Sequence, residues 1–242
     1  MSKNININNN INDALSNMPE NFNLLEKQID VDLQIEYFKK AAKIKNNIDF
    51  AEVKQQINNL FLDNISVDEK KDLLLKLAAI PEVEVFRKLE KFLKKANKEI
   101  YDWAFLAYTE SKIILESSFT NENKVFISTG LGGKGKKLRY FTVIIIRENK
   151  TLNNFRAKLI KDEINFYFEQ FDCELENFEI SNNNFIKIKS LIPVNAKILD
   201  IFKSAINRCN EIDNFLEENF IITNVKELSD NDIINFLKKN KN

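Results

Sequence analysis

The sequence predicts an α+β fold: an N-terminal antiparallel helical array followed by a mainly antiparallel sheet with helices packed on it. Three observations carry this. Apolar residues recur at helical spacing from Val31 to Phe119, then give way after Asn121 to runs of β-branched and aromatic residues. The chain's 4 glycines all fall between Gly130 and Gly135, where a turn must form. From Asn121 on, the segments read β-β-α-β-β-α-β-α, the order of an α+β domain. The chain is therefore divided into a disordered tail (residues 1–24), an all-helical region (25–120) and an α+β domain with a Gly/Lys-rich hairpin (121–242).

The tail is rich in asparagine and broken by Pro19, and has too few apolar residues to pack. The first helix follows from the spacing of Leu33, Tyr37, Phe38, Ala41 and Ala42, and a second from Val53, Ile57, Leu60 and Phe61. Ser66-Val67-Asp68-Glu69 is a capping box opening a helix striped by Leu73, Leu74 and Leu77. Pro81 suits the first turn of the next helix, which carries Val85, Leu89, Phe92 and Leu93. A further helix runs from about Lys98 to Ser118, where Ala104 and Ala107 allow close packing around Trp103 and Phe105. Short amphipathic helices with short connections fit either a stack of the helical-repeat kind or an irregular bundle. No repeat of fixed period distinguishes them.

After the helices, Val125–Thr129 and Leu138–Arg147 flank the glycines and read as a hairpin. The second of these strands is apolar on both faces, through Phe141, Val143 and Ile145 on one and Tyr140, Ile144 and Ile146 on the other. That pattern belongs to a central strand. A helix from Leu152 to Phe168 is expected to point Phe155, Leu159 and Phe166 inward. Ser181-Asn182-Asn183-Asn184 joins Leu175–Ile180 to Phe185–Ile192 as a second hairpin, with Ile186, Ile188 and Ile192 on one face and Lys187 and Lys189 on the other. Pro193 ends that strand. A helix from Ala196 to Leu216, a strand from Phe220 to Val225 and a short helix capped at Ser229-Asp230, with Ile233, Ile234 and Leu237, complete the chain.

Composition narrows the chemistry. With 242 residues, 44% hydrophobic and including 20 phenylalanines, the chain can bury a sizeable core. Lys plus Arg and Asp plus Glu both number 36, so a globally basic nucleic-acid binder is not indicated and any basic footprint is local. Histidine is absent, which removes the Ser-His-Asp triad, the Cys-His dyad and the H-E-x-x-H zinc site. Cys173 and Cys209 lack metal-ligand spacing and read as reduced thiols of a cytoplasmic protein, a disulfide between them being the alternative. Tyr140–Ile146, the longest apolar stretch, is far short of the ~20 residues that span a bilayer. No membrane contact, metal, cofactor or catalytic residue is expected.

The informative segment is Gly130-Leu131-Gly132-Gly133-Lys134-Gly135-Lys136. It resembles the G-x-x-x-x-G-K spacing of a P-loop, but the resemblance stops there. Lys137 stands where a P-loop has its Mg²⁺-binding Ser or Thr, and a strand follows where a P-loop has a helix. What remains is a glycine-rich turn whose successive N–H groups can cradle an anion, with Lys134, Lys136, Lys137 and Arg139 adding charge. No acidic residue occurs between Glu122 and Glu148, while Lys124 and Arg147 extend the basic run. Tyr140, nearest the tip, is the candidate for an exposed ring that stacks on a base. The competing reading is a tip or edge kept soluble by its lysines.

The candidate site is thus Gly130, Gly132, Gly133, Lys134, Gly135, Lys136, Lys137, Arg139 and Tyr140. The expected function is a non-catalytic protein that docks this loop on an anionic partner, RNA or a ribonucleoprotein. The alternative is a protein–protein adaptor using the helical array, with its hairpin reaching an acidic partner. An enzyme acting on a phosphorylated small molecule ranks last.

Overall fold

The computed structural model describes residues 22–44, 48–120 and 125–239. The chain divides into two compact units, one built on Ile29–Ile127 and the other on Ser128–Asn242 together with Leu24–Gln28. The expected tail up to residue 21 and Lys124 lie outside the described residues.

In the first unit α1 (Val31–Ile44), α2 (Phe50–Gln55), a 3₁₀ turn (Ile57–Phe61), α3 (Val67–Ala78), α4 (Val83–Leu93) and α5 (Tyr101–Thr120) follow one another. The capping box is present: Glu69 N–H donates to Ser66 Oγ at 3.2 Å and Ser66 N–H to Glu69 Oε2 at 2.9 Å. Such a cap stabilises a helix by about 1 kcal/mol. Pro81 is not in the first turn of α4, which opens at Val83 behind Glu82. Trp103 of α5 is the largest fully buried side chain, its indole N–H donating to the Lys71 carbonyl at 3.1 Å. Tyr37 packs edge-on against it and donates its hydroxyl to Glu110 at 2.7 Å. These aromatic residues are core, as their helical spacing implied. Short strands β1 (Phe22–Leu24) and β2 (Val125–Ile127) pair with each other.

The second unit is an antiparallel sheet with helices on it, so the α+β class holds. It contains β3 (Gly133–Lys134), β4 (Lys137–Ile146), α6 (Asn154–Gln170), β5 (Glu174–Ile180), β6 (Phe185–Pro193), α7 (Ile198–Ile212), β7 (Leu216–Thr223) and α8 (Asp230–Lys239). The order runs β3-β4-β6-β5, and β7 also pairs with β4. β4 is therefore central, with β6 along one edge and β3 and β7 sharing the other. One face, with Tyr140, Ile144, Ile186 and Ile188, is covered by α6 and α7. There Phe168 of α6, Phe202 of α7 and Phe220 of β7 form a chain of rings 5.7–5.8 Å apart. On the other face Phe141, Val143, Phe185 and Ile221 pack with Leu131 and with Ile233 of α8.

The first expected hairpin is different. Val125–Ile127 pairs with β1 instead of β4, because β7 occupies the edge of β4 it would need. The actual hairpin is β3–β4, with register Lys134↔Lys137 and only Gly135-Lys136 between the strands. Gly135 at φ +60° followed by a residue of negative φ makes this a II′-like turn, matched to strand twist. The helix expected to reach Leu216 stops at Ile212. Asn210 Oδ1 accepts the N–H groups of Phe215 and Leu216 at 3.2 and 2.9 Å and turns the chain into β7. The β5–β6 hairpin has the expected turn, and a bulge between Leu175 and Asn177. Phe155 and Phe166 point outward: α6 buries Ile160, Ile164 and Phe168 instead.

Candidate functional site

The four glycines serve different ends. Gly130 is buried beside Leu131, which is wholly buried and donates its N–H to the Asn224 carbonyl at 2.9 Å. Gly132 has φ +69°, and a Cβ there would lie 2.7 Å from the carbonyl oxygens of both Glu26 and Lys27. At Gly133 a Cβ would run into the Lys137 carbonyl and come within 3.2 Å of the Leu24 side chain. Gly135 faces open space and is glycine for its backbone angle alone. Gly132 and Gly133 thus sit where the loop meets its own chain. Leu24–Gln28 lies along the loop and takes the close approach that a ligand was expected to make.

The cations are organised the same way. Arg139 makes a bidentate pair with Glu176, Nε to Oε2 at 2.6 Å and Nη2 to Oε1 at 2.8 Å. Its Nη1 donates to the carbonyls of Leu131 at 2.9 Å and Glu26 at 3.5 Å, pinning loop and segment together. Lys137 donates to Asp172 and Glu174, both at 2.9 Å, and its side chain is only 16% exposed. The Glu174 hydrogen bond holds the Lys137 ammonium above its ordinary range, and Lys137 in turn holds the Glu174 carboxyl below its own. Glu176 does the same for the Arg139 guanidinium. Lys134 is 3.7 Å from Glu174 but 68% exposed, and Lys136 is exposed beside it. The Gly135 N–H donates to Glu26 Oε1 at 3.3 Å, so the turn already holds one carboxylate, from its own chain.

Tyr140, expected at the surface, is 4% exposed on the helix-covered face. Burial pushes its hydroxyl up to about 12. Of the nine candidate residues, Lys134, Gly135 and Lys136 gather at an exposed tip. Gly130, Gly132, Gly133 and Tyr140 are interior, and Lys137 and Arg139 are engaged by β5 and the turn before it.

Sequence reasoning missed the carboxylates. Asp172, Glu174 and Glu176 are 35 to 37 residues from the cations they meet. One signal pointed to them: antiparallel pairing across Ser181–Asn184 sets Glu179 opposite Lys187, showing that β5 presents acids to a basic face. That pair is present at 2.7 Å, and Lys187 also meets Asp230 at 2.7 Å. Asp230 accepts further bonds from Ser181 and Asn183, both at 2.8 Å. Lys187 first, then these two, hold its carboxyl down at about 2.

Neither thiol is poised for chemistry. Burial pushes Cys173 up to about 11 and Cys209 up to about 12, and both are free. Among the described residues, no group of three or more His, Cys, Asp and Glu side chains is placed to hold a metal ion, and no helix is long and apolar enough to cross a membrane. The chain matches no protein family and no curated protein.

Proposed function

We propose that this chain is a non-catalytic binding protein whose partner is another protein, met at the mixed-charge surface around the Lys134–Lys137 turn. The observation that carries this is the interleaving of charge. Lys134 and Lys136 stand at an exposed tip, while Glu26, Asp172, Glu174 and Glu176 share the same surface. A polyanion approaching Lys134 and Lys136 runs into those carboxylates, and like charges brought together at an interface cost several kcal/mol. A protein surface bearing both signs exchanges partners with them instead. Lys137 and Arg139 are unavailable to RNA phosphates unless Glu174 and Glu176 are displaced. The buried Tyr140 offers no stacking face.

With no histidine in the sequence and both thiols pushed up by burial, imidazole and thiolate catalysis are not available to the chain, in keeping with a binding role. Two free cysteines are in keeping with a reducing, cytoplasmic compartment.

Affinity capture from cell extract with and without nuclease treatment, run in parallel with the wild-type chain and the Lys134→Glu/Lys136→Glu variant, tests the proposal. The expected result is a stoichiometric protein that survives nuclease and is lost with the variant. Recovery of RNA-dependent material alone, removed by nuclease, would overturn it.

A further inference from the structure

Helix α6 carries two apolar stripes. Ile160, Ile164 and Phe168 are buried within the unit. Phe155, Leu159 and Phe166 form the other, falling within about 40° of one another at 100° per residue. Phe155 is 60% exposed and Phe166 55%, and Leu159 between them is half-buried. The helix is held in this rotation. Asn153 Oδ1 accepts the Arg156 N–H at 2.9 Å, and Arg156 Nε binds Asp213 Oδ2 at 2.7 Å, tying the start of α6 to the end of α7. Ile212, next to that ion pair, is another 50% exposed apolar side chain. This stripe of α6 is left uncovered within the unit.

We propose that this stripe is a self-complementary interface, on which α6 of a second copy of the chain packs antiparallel. The order of charges along the helix selects that occupant. On one flank of the stripe Lys158 lies in the N-terminal half of the helix, Asp162 at its middle and Glu169 in its C-terminal half, while Lys161 turns away over Phe178 of its own chain. An antiparallel copy sets each basic half against an acidic half, whereas a parallel one would oppose like charges. A two-fold axis between positions 160 and 161 sets Phe155 on the partner's Phe166 and brings Leu159 to the partner's Leu159. It also places exposed Lys158 alongside the partner's Asp162, on the same flank of the stripe. The contact is small, four phenylalanines of ~150–250 Å² each and already partly covered, so the dimer is a weak, concentration-dependent one.

Sedimentation equilibrium of the full chain over a wide concentration range tests this. The wild type is expected to pass from monomer to dimer. Phe155→Glu/Phe166→Glu stays monomeric with unchanged circular dichroism, since both side chains are exposed. Lys158→Asp weakens the dimer roughly tenfold, and adding Asp162→Lys restores it. A wild type that stays monomeric throughout, or a dimer indifferent to the double phenylalanine variant, would overturn the interface. A charge swap that fails to restore association would overturn the antiparallel register.

Discussion

A methyl group at Gly132 would enter the space held by the carbonyl oxygens of Glu26 and Lys27, on a backbone already in the left-handed region. One at Gly135 would meet nothing and bear only the backbone strain. Gly132→Ala is therefore expected to destabilise the chain by about 2–4 kcal/mol, against about 1 kcal/mol for Gly135→Ala. Urea unfolding measures both, and equal losses would refute the bracing of the loop by Leu24–Gln28. Asp230 gives a second residue-scale prediction. Its folded carboxyl titrates at about 2, below its ordinary 3.8, so its contribution to stability is present above that ordinary value and is lost as pH falls through 2. The stability gap between wild type and Asp230→Asn should hold near neutrality and close on acidification between those values. A gap unchanged down to pH 2 would show that Asp230 does not feel Lys187. The glycine cluster was plain in the sequence, and so was its need for special backbone. What approaches it was not, because Glu26 and Lys27 lie more than a hundred positions away.

At the scale of elements, legibility followed periodicity wherever one face of a segment was clearly apolar. β4 read as central because both its faces are apolar, and it does have strands on both edges. β6 read as half-buried from the alternation of Ile186 and Ile188 with Lys187 and Lys189, and those lysines do lie on the face bearing ion pairs. α6 misled because two stripes fit a 3.6-residue period. Choosing between them needs tertiary facts: the cap at Asn153 and the Arg156–Asp213 pair that set the helix rotation. The first hairpin failed for a similar reason. Val125–Ile127 has the composition of a strand beside β4, yet edge occupancy is decided by β7, almost a hundred residues later. The outward stripe left by α6 is what the proposed dimer uses, and the sedimentation experiment belongs to this scale.

For the whole molecule, 36 cations and 36 anions allow either an even mixture or segregated patches. The basic run from Lys124 to Arg147 pointed to segregation. Folding cancels it locally: Lys134, Lys136, Lys137 and Arg139 share their surface with Glu26, Asp172, Glu174 and Glu176, pairs mostly in direct contact and well inside the ~10 Å over which charge acts at 0.1 M salt. The acid-free stretch in the sequence is therefore not an acid-free surface. The turn is braced by its own chain and charge-balanced, and the partner we propose for it is a protein rather than RNA. The most direct test is a titration of a fluorescent single-stranded RNA with the purified wild-type chain at low salt, where phosphate contacts are strongest. No saturable binding is expected. Tight binding that falls steeply with added salt and disappears in Lys134→Glu/Lys136→Glu would contradict it.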